Sequence, residues 1–357
     1  MKQSALALAV LAAPFLSSIH ARAQDSVQLY GRLDAGVEVV NHMGPDDATL
    51  VRVVSGGKNT SRWGIRGSED LGGGLKAVFN FEGEVALDTG DTEGKLFKRH
   101  AWVGLEGGFG RVVIGRSFTT TYDLVIKFDP MGFAPHYSWA TSGSATSPSK
   151  YGMTTAFDNQ VKYSGRSGGF TYGASLGLGE GSGSSADGRK FALGGSWFGG
   201  GLGFMAACER INGVAAAPGL LENRIRDRTR ACHLGADYRT GDWRYTAGLR
   251  AYALRPAAGG ADLRANTWWG GITREIDRVT LTGALYHIDT RALPAGRDAD
   301  PTMLVLRAML ALSPRTDLYL SAAHARADHD LPVGLSRDDP GAAPTQSGIT
   351  AGIQHRF

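Results

Sequence analysis

From residue 26 onward the turn-forming clusters of this chain come in two alternating kinds, and few folds tolerate that rhythm. Tight glycine-rich or aspartate-rich links fall at 69–74, 107–110, 165–169, 198–201, 240–242, 275–278 and 313–316. Between them lie longer polar loops near 41–50, 88–95, 118–150, 179–188, 213–228, 255–264, 291–300 and 329–346. Seven short turns and eight long loops join 16 strands. An even number of strands, with short turns on one side and long loops on the other, is the arrangement of a closed antiparallel barrel in a bacterial outer membrane.

The segments between the turns read as strands because their apolar residues recur with period two. In 62–66 Trp63 and Ile65 share one face while Arg62, Gly64 and Arg66 share the other. The next segment sets Ala77, Phe79, Phe81 and Val85 against Lys76, Asn80, Glu82 and Glu84. Such a strand suits a wall between lipid and water, although a soluble antiparallel sheet alternates too. The strands are expected near 26–40, 51–68, 75–87, 96–106, 111–117, 151–164, 170–178, 189–197, 202–212, 229–239, 243–254, 265–275, 279–290, 301–312, 317–328 and 347–357. The first and last should pair, because an open sheet edge in hydrocarbon leaves backbone groups unsatisfied.

The start of the chain fits export. Lys2 precedes an apolar run from Ala5 to Leu16, and Ala21-Arg22-Ala23 follows. This order reads as a signal peptide over 1–23, with a single barrel domain over 24–357. The run is too short for a spanning helix, which needs ~20 residues. Loss of Lys2 and Arg22 takes the formal charge from +4 to +2, leaving no basic excess that argues for nucleic acid. With 51 glycines, 11 tyrosines and 13 prolines and a mean hydropathy of −0.16 the chain offers no spanning helix, but a barrel hides its membrane signal by alternating lipid-facing and lumen-facing residues.

Two ordered sets of residues carry a family resemblance. The first is Ser26-Val27-Gln28-Leu29-Tyr30-Gly31-Arg32-Leu33-Asp34 followed by the run from Ser61-Arg62-Trp63-Gly64 through Glu69-Asp70-Leu71-Gly72 to Ala77. The second is Phe97-Lys98-Arg99-His100-Ala101-Trp102-Val103-Gly104-Leu105 with Phe109-Gly110-Arg111-Val112-Val113-Ile114-Gly115-Arg116, and a terminal Phe357. Together they resemble the trimeric Gram-negative general porins, above all their β-proteobacterial branch. The resemblance covers the chain up to Arg116 and from Gly348 to Phe357; the middle agrees in rhythm more than in letters.

The resemblance implies an all-β, 16-stranded antiparallel transmembrane barrel with short periplasmic turns and long extracellular loops. Its third loop, 117–150 here, would fold inward to narrow the channel. By the family's motifs Arg32, Arg62 and Arg99 would form the basic wall of that throat, facing Asp123 and Asp129 of the loop. The function implied is passive diffusion of small hydrophilic solutes and ions, through a homotrimer set among outer-membrane lipids and lipopolysaccharide, with no cofactor, metal or nucleic acid. Ala77, Ala101 and Gly104 would allow close approach of neighbouring barrels, with Asp91 and Glu93 of the second loop reaching across. Two features depart from the pattern: Ala156 stands where related porins often carry another arginine, with Lys150 or Lys162 as substitutes, and Asp129-Pro130-Met131-Gly132-Phe133 replaces an acidic Pro-Glu-Phe-Gly segment. Three arginines against two aspartates lean toward anions, with Glu82 and Glu84 as an offset.

Other readings stand beside this one. Tyr122, Phe128, Phe133, Tyr137 and Trp139 lie in or near the third loop, where aromatics either line a substrate-selective throat or anchor the loop. A barrel enzyme needs a nucleophile beside a histidine and an orienting group. The cluster His324, Asp328, His329 and Asp330 has a spacing usually incidental in a polar loop. Cys208 and Cys232 flank one long loop, and pairing of Leu202 with Tyr238 and Phe204 with Ala236 would set them opposite one another on one face. In an oxidising compartment such a pair is a candidate disulfide; a one-residue slip would separate it.

Overall fold

The computed structural model describes residues 26–92, 94–141, 152–180, 186–213, 227–257, 261–292, 298–336 and 341–357. The signal-peptide reading of 1–23, Glu93 and Lys150 lie outside the described residues. Every strand pair is antiparallel, and the sheet closes on itself. The closing pair is β1 (Ser26–Met43) with β17 (Thr345–Arg356), in register from Arg32 opposite Arg356 to Val40 opposite Gly348. Gly31 and Phe357 exchange both backbone hydrogen bonds at 3.0 and 3.1 Å. Closure spares the strands an unpaired edge in hydrocarbon.

Among the described residues seventeen β segments make sixteen staves, because β2 (Ala48–Ser55) and β3 (Arg62–Gly72) are two parts of one stave. Both pair with β1, β2 with its outer half and β3 with its inner half. The interruption at 56–61 begins at Gly56, whose φ of 83° is one that L side chains rarely adopt. The chain there leaves the wall and turns into the lumen. Asp34 of β1 holds it by accepting from the backbone N–H groups of Lys58 (3.4 Å) and Asn59 (2.9 Å).

The remaining staves follow the sequence rhythm. They are β4 (Leu75–Glu84), β5 (His100–Gly107), β6 (Gly110–Phe118), β7 (Ala156–Ser167), β8 (Phe170–Gly177), β9 (Lys190–Gly199), β10 (Leu202–Asn212), β11 (Arg228–Thr240), β12 (Trp243–Arg255), β13 (Leu263–Ile276), β14 (Val279–Ala292), β15 (Thr302–Ala311) and β16 (Thr316–Arg326). Expected and observed limits differ by a few residues, most at the start of β7, which follows the inward-folded third loop. Along β10 the exposed Leu202, Phe204 and Ala206 alternate with the buried Gly203, Met205 and Ala207. The same parity sets Ala77 and Ala101 outward, but Gly104 falls on the luminal side, opposite Val78, so it cannot serve a contact between barrels.

Near the short turns the outward face carries an aromatic row. Trp197 lies 6.4 Å from both Phe170 and Phe204, and Tyr245 lies 6.3 Å from Tyr238 and 6.4 Å from Trp243. Rings at this level mark the interface between hydrocarbon and headgroups, and they assign the short-turn end to one rim. On the same face Cys208 and Cys232 stand opposite each other in the register expected from Leu202 and Tyr238, with Cα atoms 4.1 Å apart and the sulfurs joined as a disulfide.

Candidate channel constriction

The third loop begins directly after β6 and enters the barrel. Thr119 caps the helix α1 (Thr120–Val125) by accepting from Tyr122 N–H, and a 3-10 turn over Ile126–Phe128 follows. Leu124, Val125, Phe128, Met131, Phe133, Tyr137 and Trp139 are all buried between this loop and the wall. Most of the aromatics named from the sequence are therefore anchors. Only Tyr122 and Phe133 among them also border the open lumen, with Tyr122 stacked on Phe118 at 4.1 Å.

Wall side chains far away in sequence fix the loop's path. Trp269 donates from its indole N–H to Phe128 O at 2.7 Å, Arg250 donates to Ala140 O at 2.7 Å, and Arg244 donates to Lys127 O. Asp129 is the loop's internal fastener. It accepts from Tyr286 Oη (2.5 Å), Ser138 Oγ (2.8 Å), Phe133 N (2.7 Å) and Met131 N (3.2 Å). Its carboxylate is thus turned into the base of the loop rather than across the throat toward the arginines. Burial pushes this carboxyl above its ordinary pKa, and the four donors oppose the shift. At the loop's far end His136 and Tyr137 reach Glu38 of β1 at 2.8 and 3.1 Å, so the loop touches both sides of the barrel.

The three arginines do project into one space, but they differ in how much charge they offer. Arg32 donates to Asn59 Oδ1 at 2.7 Å, a residue of the inward detour at 56–61. Arg62 reaches Thr60 O at 3.2 Å and lies 3.7 Å from Glu82 Oε2. Arg99 is buried, bonded to Glu82 at 2.5 Å and to Glu84 at 3.2 Å. It precedes β5 by one residue, and this matters: within the strand, its parity would send it outward with Ala101. Glu84 also holds Lys98 at 2.7 Å.

Across the lumen, Asp123 forms an ion pair with Lys162 of β7. A cavity of about 690 Å³ is bounded by Arg32, Arg62 and Arg99 on the wall and by Tyr122, Asp123, Lys127 and Phe133 on the loop. A second space of about 1060 Å³ shares Asn59, Ile126, Lys127 and Gly132 with it. There Lys58, Lys127, Arg166, Arg239, Arg244 and Arg307 stand against Asp129, Asp237 and Glu275. Sequence reasoning missed Lys58, Asn59, Arg244 and Arg307. The glycine pair Gly56-Gly57 inside an otherwise regular strand was the available signal for the first two.

The family model described as Gram-negative porin matches residues 6–330. The chain belongs to the Gram-negative porin family. This porin is 31% identical to outer membrane porin protein 32 of Delftia acidovorans over the full length of both chains. It is 34% identical to an outer membrane porin protein of Bordetella pertussis over 46% of this chain and 44% of that one. Among solved structures, the anion-selective porin from Comamonas acidovorans superposes with a TM-score of 0.76 at 27% identity, covering 94% of this chain and 100% of that one. OmpF of Salmonella typhi shares the fold, with a TM-score of 0.66 at 16% identity over 93% of this chain and 97% of that one. The porin is a passive channel of the bacterial outer membrane, crossing it with strands.

Proposed function

We propose that this porin is a general-diffusion channel whose throat is biased toward anions. Arg32 and Arg62 supply the free positive charge, Arg99 the compensated part of the same wall, and Asp123 the acidic edge of the loop, with Asp129 holding that loop in place. The observation that carries the reading is the charge balance of the two luminal spaces, where arginine and lysine side chains outnumber carboxylates. Glu82 and Glu84 offset it only in part: they compensate Arg99 and Lys98 and lie within reach of Arg62, whereas Arg32 makes no ion pair among the described residues. The selectivity named for the Comamonas relative agrees. A narrow throat of one sign raises the local concentration of the opposite ion.

No bond is made or broken in this reading, so the protein acts without catalysis. Solutes are sorted by size and charge rather than by a dedicated site, since the loop aromatics are spent on anchoring. Liposome swelling with sugars of increasing size tests this: permeation should fall smoothly with size, and one privileged sugar would overturn it. Reversal potentials in a salt gradient should have the sign of anion preference.

The same proposal includes a homotrimer joined through the β1–β6 side. Outward Ala77 and Ala101 lie there between larger apolar side chains, and Asp91 sits in the loop above them. Mass measurement in mild detergent should give three chains; a monomer would overturn this part.

A further inference from the structure

The wall gives up its regular pairing at one place facing the third loop, and it does so with surplus chain. Between the register pairs Ala35–Ser55 and Arg32–Arg62, β1 has two residues while its partner stave has six, 56–61. A bulge of this kind re-aims side chains that a straight strand would carry along the wall. Gly57 lets the turn lie close against β16, since a Cβ there would meet Tyr319 Oη at 2.6 Å. Asp34 fastens both ends. Its backbone carbonyl accepts from Gly56 N at 2.7 Å and from Ser61 Oγ at 2.8 Å, and its carboxylate accepts from Asn59 N, Lys58 N and Tyr319 Oη at 2.9, 3.4 and 2.8 Å. Lys58 reaches Asp317 at 3.3 Å, and Asn59 donates to Gln354 Oε1 at 2.6 Å while it accepts from Arg32 at 2.7 Å. A turn tied at this many points keeps its side chains in place.

The tip of the turn stands where the two luminal spaces meet. The residues that border both are Asn59 on the turn, Ile126, Lys127 and Gly132 on the third loop, and Arg166 and Thr171 at the short-turn ends of β7 and β8. A solute that moves from one space to the other passes through this ring. Gly132 narrows it little, since a Cβ there would meet nothing within 4 Å. The loop side and the wall side are held by different partners. Trp269, Arg244 and Tyr286 hold the loop, whereas Asp34, itself bonded by Tyr319, and Gln354 hold the turn. The ring therefore has two jaws with separate anchors, and Asn59 is the uncharged side chain at the tip of the second.

We propose that the turn at 56–61 is a second jaw of the throat, and that Asn59 sets the channel's size limit while Asp34 and Tyr319 act as its positioning residues. An amide carries no charge, so it narrows the passage for sugars and ions alike, and selectivity by sign stays with the cations around it. The inference rests on the general-diffusion reading, in which solutes are sorted by size, and it names what does the sorting on the side of the channel away from the loop. Native protein that favoured one sugar would fail that reading, whereas graded permeation unmoved by changes at Asn59 would fail this one.

The test is liposome swelling by the purified full-length porin with uncharged sugars from mono- to tetrasaccharide. Asn59→Ala should raise the permeation of the largest sugar relative to the smallest by roughly threefold or more, and Asn59→Trp should lower it by a similar factor. The sign of the reversal potential should not change in either. Tyr319→Phe removes one bond from Asp34 and keeps the aromatic side chain, so it should raise the same ratio by a smaller factor at unchanged heat-modifiable gel mobility. N59A/Y319F should match N59A, because the tip of the jaw is already gone; additive effects would make Tyr319 a general support of the wall and not a positioning residue. Asn59→Cys supplies a measurement that does not depend on folding around a large side chain. With Cys208 and Cys232 bonded to each other, its thiol is the one left to react. Methanethiosulfonates of rising size, added to the folded channel, should exclude sugars in order of their own size. The same adducts at Thr280→Cys, on the wall of the wider space near the short turns, should not. An unchanged size ratio in both N59A and N59W, or equal block from the two cysteine sites, would overturn the proposal.

Discussion

Arg99 donates from Nε to Glu82 Oε1 at 2.5 Å while Arg62 approaches the other oxygen of the same carboxylate at 3.7 Å. Glu82 is thus shared by two of the three throat arginines, and Arg32 has no part in it. Tyr30 adds a hydrogen bond to Glu82 at 2.8 Å, which fixes the carboxylate further. The three arginines are one cluster by position but not by electrostatic role.

That difference predicts an ordering. Arg32→Ser and Arg62→Ser should lower anion preference while leaving the barrel folded, most clearly at low salt where screening is weak. Arg99→Ser should cost stability first, on the order of 3 kcal/mol, because it leaves the buried Glu82 without its main partner and takes one of two cations from Glu84. Reversal potential and the heat-modifiable gel shift separate the two effects. If Arg99→Ser alone changed selectivity while Arg32→Ser did not, the assignment of free charge would be reversed.

Removing the carboxylate should act in the opposite direction. Glu82→Gln keeps the shape and a hydrogen-bond acceptor, but uncovers the charge of Arg62 and leaves Arg99 paired with Glu84 alone. Anion preference should rise above that of the native channel, with a steeper dependence on ionic strength. A shift toward cations would show that Glu82 is not what restrains the arginine wall.

Asp129 governs the loop rather than the ions. Asp129→Ala strands Tyr286, Ser138 and two backbone donors together, and should weaken loop docking by roughly 2–4 kcal/mol. Single-channel traces should become noisier and the loop more open to protease. The effect of pH follows from the raised pKa of this carboxyl. A group whose folded pKa lies above its unfolded value contributes stability that is full below the unfolded value and lost as pH rises through the folded one. Mild acid should therefore tighten the loop through Asp129, and an acid-induced release abolished by Asp129→Ala would contradict this.

How far the sequence can be read is clear from these same residues. The staves are legible because period-two alternation and paired turn types are local properties, and alternation along β10 and β11 fixes their register up to a one-residue slip. The arginines are legible through local motifs. The partner of Asp129 is not, since Tyr286 lies 157 residues away on a wall that exists only once the barrel closes. Gly104 is misplaced without the parity of β5, and Arg99 would be misplaced by that same parity had the strand begun two residues earlier. The detour at 56–61 reads as continuous strand in the sequence, because the acceptor that draws it inward is Asp34, on a neighbouring stave.

The last prediction concerns the two cysteines. Cys208 and Cys232 face outward on neighbouring strands, 24 residues apart in sequence, and their bond closes a long outer loop. A cross-link of that length restrains the unfolded chain by up to about 3 kcal/mol, less whatever the existing strand pairing already supplies. Thiol labelling of the unfolded, unreduced protein should find no reactive thiol, and two per chain would remove the bridge. Reduction should lower the temperature at which the folded barrel is lost. Conductance and selectivity should stay the same, because the sulfurs sit on the lipid side of β10 and β11 while the throat residues project from the other face; a change in either would mean that strain on these two strands reaches the loop through the luminal wall.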